Sequence, residues 1–153
     1  MSIYLRRTTL DRPARRFDIP ARQSYNGIVP DRPRRWYLSV CGLDCGQCTI
    51  HTRAKEELDY WRSQNADLDR IRCDCCRSER KEGKHWSWDC KLVECCIDKK
   101  GLEFCAQCAD LETCSLMKEF AESYEHHREA AARLKEMKRV GVERWLSDHD
   151  YSS

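Results

Sequence analysis

Twelve cysteines crowd the middle of this chain, and they constrain its fold more than any other feature. All lie between Cys41 and Cys114, so 12 of those 74 residues are Cys and the flanks hold none. Such a density in a small chain means disulfides or metal, and the redox compartment chooses between them. Residues 1–37 are Arg-rich and interrupted by Pro13, Pro20, Pro30 and Pro33, with no apolar run of the signal-peptide kind. No stretch approaches the ~18 apolar residues of a membrane helix. The chain is therefore expected in the cytoplasm, with reduced thiols free to bind metal; a disulfide framework is the alternative.

The apolar inventory sharpens that expectation. Only 26 of the 153 residues are Leu, Ile, Val or Phe, below the ~20% at which a chain is suspected of lacking a core. Yet the net charge is only +2, so the charge signature of disorder is missing. Metal can supply what aliphatic bulk does not. One structural zinc contributes about 10–16 kcal/mol of apparent binding energy, against about 1.5–3 kcal/mol for each further buried leucine.

Charge divides the chain. Residues 1–37 hold nine Arg, no Lys and three Asp, a local net of +6, and the rest carries −4. This basic arm repeats Asp11-Arg12-Pro13-Ala14-Arg15-Arg16-Phe17 as Asp31-Arg32-Pro33-Arg34-Arg35-Trp36-Tyr37. Its prolines predict an extended or turn-like path. With Tyr4 and Tyr25 it is rich enough in aromatics to contact another protein or the body; binding nucleic acid through Arg and stacked rings is the alternative. Residues 38–147 form the cysteine-rich domain and 148–153 a tail. Within the domain, Ile50, Ala54, Leu58 and Trp61 have helical spacing, as do Val93 and Ile97 in a short helix over 90–100 closed by Gly101. One long helix is predicted over about 115–140, with Leu116, Phe120, Tyr124, Ala131, Leu134 and Met137 on one face. Gly141 ends it, and Val142 to Leu146 turns Trp145 back onto the body.

The cysteines fall into four groups: Cys41, Cys45 and Cys48; Cys73 and Cys76 around Cys75; Cys90 with Cys95 and Cys96; Cys105 and Cys108 followed by Cys114. A C-x2-C turn faces two thiolates toward one ion and lets backbone N–H groups bond the sulfurs. Cys48 and Cys114 each precede a predicted helix, whose dipole favours a thiolate. Cys73, Cys76, Cys90 and Cys95 have the spacing of one tetrahedral zinc site. Cys41, Cys45, Cys48 and Cys105, Cys108, Cys114 are trios, a pattern shared with [4Fe–4S] proteins. Cys75 and Cys96 are extras, because adjacent residues seldom reach one ion together. The spacing Cys41–Cys45–Cys48 also occurs in radical S-adenosylmethionine enzymes, but the chain is too short for their barrel. Zinc, as two or three ions, is the expected cofactor, and [4Fe–4S] clusters are the alternative.

Other side chains add little. His51 could complete the first trio or lie on a helix surface. His85 reads as a stacked loop residue, His126 and His127 as a solvated face, and His149 as tail. Asp44 reads as a turn-stabilising residue, and Trp86 and Trp88 as cover for the metal layer. No catalytic triad, carboxylate pair or phosphate loop emerges, so the chain reads as non-catalytic.

The motifs Cys41-Gly42-Leu43-Asp44-Cys45-Gly46-Gln47-Cys48, Cys73-Asp74-Cys75-Cys76 and Cys90-Lys91-Leu92-Val93-Glu94-Cys95 resemble those of an uncharacterised prokaryotic family, domain of unknown function 3795. So do Lys100-Gly101-Leu102-Glu103-Phe104-Cys105-Ala106-Gln107-Cys108, Cys114 with its following helix, and Val140-Gly141-Val142-Glu143-Arg144-Trp145-Leu146. The resemblance spans about 38–147 and implies metal binding with no established activity. This chain departs from it with Thr49 and Thr113 where Pro is common, Cys75 for a usual Gly, and Cys96 for a small residue. Ten family cysteines make two full sites; twelve could make three. The expected fold is thus a small irregular, metal-stabilised α-rich fold of cysteine knuckles and short helices, plus one long C-terminal helix. Its expected role is an interaction module or accessory subunit; electron transfer or cluster delivery is the alternative.

Overall fold

The structure, a computed structural model, describes residues 32–78, 86 and 88–152. Readings that rest on residues 1–31, including Tyr4, Phe17 and Tyr25, and on His85 lie outside the described residues. The described part of the arm, Arg34–Tyr37, forms a single helical turn, α1. It packs onto the body: Arg35 grips Glu103 at 2.5 Å and Glu143 at 2.8 Å.

Among the described residues the chain is built from helices and turns, with one isolated bridge between Leu38 and Asp44. That bridge carries the segment Leu38–Val40 through the centre of the molecule. Ser39 N–H donates to the Leu43 carbonyl (2.8 Å), and the Val40 carbonyl accepts from Cys105 N–H (3.0 Å). Burying these backbone groups is tolerable because they are paired. Around this segment the main core gathers Phe104, Leu134, Met137, Leu146 and Val93, all essentially inaccessible. Short helix α2, Lys55–Ser63, stands to one side of this cluster. There Ile50 and Ile71 are buried outside the main core.

The helix predicted over 115–140 is two helices. Helix α4, Ser115–Ser123, and helix α5, Glu125–Val140, are separated by Tyr124, which is extended at φ −151° and ψ 156°. The physical reason is reach. A straight helix of that length would run about 39 Å, well past the small core, and the break folds α4 back along α5. Tyr124 therefore leaves the apolar face and is 41% exposed, while Ala131, Leu134 and Met137 keep their place in it. Gly141, at φ +96°, ends α5 as the sequence predicts, and α6, Val142–Asp148, buries Trp145 and Leu146.

The segment over 90–100 also departs from a plain helix. Helix α3, Lys91–Val93, widens into a π turn over Glu94–Lys99 before Gly101 at φ +63°. A π turn adds one residue to the winding and so re-aims the side chains it carries, here Cys95 and Cys96.

The last residues are not a loose tail. Tyr151 is buried, stacks on Trp145, and its hydroxyl donates to Asp44 Oδ2 at 2.6 Å. Asp44 Oδ1 meanwhile accepts the Gly46 N–H at 2.8 Å, closing the first cysteine turn. Tyr151→Phe is expected to cost about 1.5–3 kcal/mol, the range for a hydrogen bond to a charged acceptor. Burial, then the bond to Asp44, pushes the Tyr151 hydroxyl up to about 12. The wild-type advantage over Tyr151→Phe should hold below pH ~10 and shrink as pH rises toward the folded value. Denaturation midpoints of the two proteins across that range check it.

Candidate functional site

The turns bring the thiols into two groups. In the first, Cys76 is the hub. It is hydrogen-bonded to Cys45 and faces Cys41, Cys48, Cys73 and Cys90 electrostatically. Cys45 is also hydrogen-bonded to Cys75. Sequence spacing placed Cys75 as an extra, yet it is 1% exposed and sits inside this group. Its φ of +70° lies in the left-handed region that only Gly enters freely.

Five of these sulfurs are cradled by main-chain N–H groups, Cys45 by that of Cys76. Cys41 accepts from Leu43, Cys48 from Ile50 and His51, Cys73 from Cys75 and Trp86, and Cys90 from Leu92 and Val93. These dipoles favour a thiolate, and such N–H donors would also orient a sulfur that held a metal ion. Burial works against them. It pushes Cys41 up to about 12 and Cys73 up to about 11, with the neighbouring Cys76 adding to both. Cys76 is raised further, chiefly by its bond to Cys45. Turns built to hold thiolates, in a place where protons are otherwise favoured, match the chemistry of a cation that displaces those protons. Among the described residues, no group of three or more His, Cys, Asp and Glu side chains is already arranged to hold a metal ion.

His51 lies in this group. Its Nδ1–H donates to the Cys73 carbonyl (2.6 Å), with Cys75 Sγ at 3.3 Å, and the ring leans on Tyr37. It ties the first turn to the second. Below it, Glu57 on α2 is 2% exposed and accepts from Thr49 Oγ1 (2.5 Å) and Trp61 Nε1 (2.8 Å). Thr49, one departure from the family pattern, is thus the hydroxyl that anchors α2 beneath the first turn. Trp86 packs its ring on Trp61.

The second group consists of Cys95, Cys96, Cys105, Cys108 and Cys114, which line one cavity of about 30 Å³. The spacing argument assigned Cys95 to a quartet with Cys73, Cys76 and Cys90; the π turn aims it into this cavity instead. Cys96 is 3% exposed and hydrogen-bonded to Cys105. That bond is the first cause both of the lowered Cys96 and of the raised Cys105.

Between the groups lies Arg77, a residue the sequence did not single out. Its Nε donates to the Leu38 carbonyl (3.0 Å) and Nη2 to the Glu103 carbonyl (2.9 Å), and its guanidinium covers Phe104 at 4.8 Å. It acts on Cys45 and Cys76 on one side and on Cys96 on the other. Each of its partners belongs to a turn distant in sequence, so only its place directly after Cys76 could have drawn attention to it.

A family model described as "Protein of unknown function (DUF3795)" matches residues 37–119. The chain belongs to this family. No curated protein and no solved structure matches it. The DUF3795 match begins at Tyr37, in the last residue of α1, and ends at Glu119 within α4. It therefore takes in all twelve thiols and both groups. The structural partners of the first turn, Gly42 against Ala130 and Asp44 with Tyr151, come from beyond the matched DUF3795 segment.

Proposed function

We propose that this DUF3795 protein is a non-catalytic metal-binding module, with structural zinc held by thiolates of the group around Cys76. The observation that carries this reading is the set of N–H cradles at Cys41, Cys48, Cys73 and Cys90. Free buried cysteines behave as small hydrophobes and need no such donors. Cradled sulfurs from three separate turns lie within electrostatic reach of Cys76, and cysteine thiolates suit a soft, redox-inert ion. Bound there, zinc supplies a cross-link between turns that share little apolar surface.

As a module it presents its metal-tied body to a partner protein, with residues 1–31 as the contacting arm. The arm's base is already fixed to the body by Arg35. No helix among the described residues is long and apolar enough to cross a membrane.

Anaerobic purification of the full chain followed by metal and acid-labile sulfide analysis tests the reading. Zinc in stoichiometric amount, lost in Cys76→Ser, is the expected result. Iron with matching sulfide would replace it by the iron–sulfur alternative, and a metal-free folded protein would sink it.

A further inference from the structure

The second group of thiols differs from the first in shape, exposure and charge. Its five sulfurs come from three local devices: the π turn carrying Cys95 and Cys96, the 3-10 turn Cys105–Gln107 with Cys108 at its end, and Cys114 at the N-cap of α4. The rest of the cavity wall is leucine and Met117, with Lys100 at one side. Every donor is soft, and no carboxylate or imidazole lines the space, so hard ions such as calcium and magnesium find nothing to bind.

Size limits the occupant. A water needs roughly 10–15 Å³ of such space, and the cavity has about 30 Å³. One ion fits. The space suits a single ion more closely than a four-iron cluster, which brings sulfides besides its irons.

Charge points the same way. Four thiolates around one divalent ion leave a net of about −2. Two cations stand at the group. Lys100 Nζ lies 3.0 Å from Cys108 Sγ and 3.0 Å from Asp110 Oδ2, and the Arg77 guanidinium faces Cys96 from the interior. Lys100 is exposed, so this centre meets solvent on its lysine side.

We propose that Cys95, Cys105, Cys108 and Cys114 hold one soft divalent ion as a second, separately loaded centre, with Cys96 as a spare sulfur and Lys100 as its exposed counter-cation. The proposal rests on the reading of the thiols as metal ligands and adds the membership, nuclearity and independence of a second site. Cys96 stays a buried thiol, with its sulfur 3.5 Å from the Leu102 carbonyl.

Cobalt(II) titration of the full-length, reduced protein tests it, read by the visible bands of tetrathiolate cobalt and by bound metal per chain. The wild type is expected to take two equivalents. Cys105→Ser and Cys114→Ser should each take one while keeping helical circular dichroism. Lys100→Glu, a surface change that covers the case of a misfolded cysteine variant, should still take two but release one on the order of tenfold more readily. Full loading of Cys105→Ser, unchanged release from Lys100→Glu, or sulfide bound at this group would each overturn the proposal. If Cys76→Ser loses an equivalent and Cys105→Ser does not, only this second centre falls. If the wild type binds no metal at all, the reading of the first group falls with it.

Discussion

Chelation of the reduced protein is expected to unfold it cooperatively, and returning zinc is expected to restore it. A structural zinc contributes about 10–16 kcal/mol of apparent binding energy to folding, whereas whole domains are stable by about 5–15 kcal/mol. Removing the ion of the first group would therefore take away about as much as a domain of this size holds in reserve. The segments left behind cannot compensate. Helix α5 has 16 residues, about the length at which isolated helices are marginal in water, and α2 and α4 have nine each. Near-ultraviolet circular dichroism of buried Trp145 and far-ultraviolet helicity should collapse together. Cys76→Ser, at the hub of the first group, should behave like the chelated wild type. A protein that keeps both signals without metal would show that its apolar core suffices alone.

Gly42→Ala is expected to cost about 3–5 kcal/mol, more than any other single-methyl addition to the described glycines. Two effects coincide there. Gly42 has φ +86°, and a methyl would lie 2.5 Å from the Ala130 carbonyl oxygen and 3.1 Å from Leu134 Cγ. The nearer neighbour is backbone in the middle of α5 and cannot swing away. The Gly42 carbonyl also accepts from the Arg133 guanidinium, so the turn cannot retreat without losing that bond. Gly141→Ala is the control. Its φ of +96° is just as unfavourable, but nothing lies within 4 Å of the added carbon, so its cost should stay near about 1–2 kcal/mol. Thermal or denaturant midpoints decide. Equal losses at the two positions would mean that the turn and α5 can part without penalty.

The sequence disclosed local features whose cause is local. Gly141 as a stop, Trp145 turned inward, Asp44 as a turn residue and the apolar face of Ala131, Leu134 and Met137 all follow from spacing within a few residues. What it hid depends on where distant segments meet. The break at Tyr124 is invisible in periodicity, because the apolar face on either side keeps helical spacing and only the size of the core forces the fold-back. The quartet of Cys73, Cys76, Cys90 and Cys95 looked sound because C-x2-C and C-x4-C spacings suit one ion. The π turn at Glu94–Lys99 re-aims Cys95, and nothing in the residue types announces that extra winding. Cys75 and Cys96 looked superfluous by adjacency, yet each is buried in a thiol group. Arg77, Lys100 and Glu57 carry no spacing signal of their own, and only the partners they meet in the fold single them out.

The first cysteine turn is completed from the far end of the chain. Tyr151 closes on Asp44, Glu143 on Arg35, and Arg133 on Gly42. On the ribosome, every cysteine is synthesised before any of these three partners emerges. The nascent chain therefore carries twelve open thiols before these contacts can form. Loading them too early, or letting them oxidise, would trap pairings that α5 and α6 could not later correct. Maturation of this protein should accordingly depend on thiol-protecting conditions during synthesis, and on metal arriving after α5 and α6 have formed rather than before.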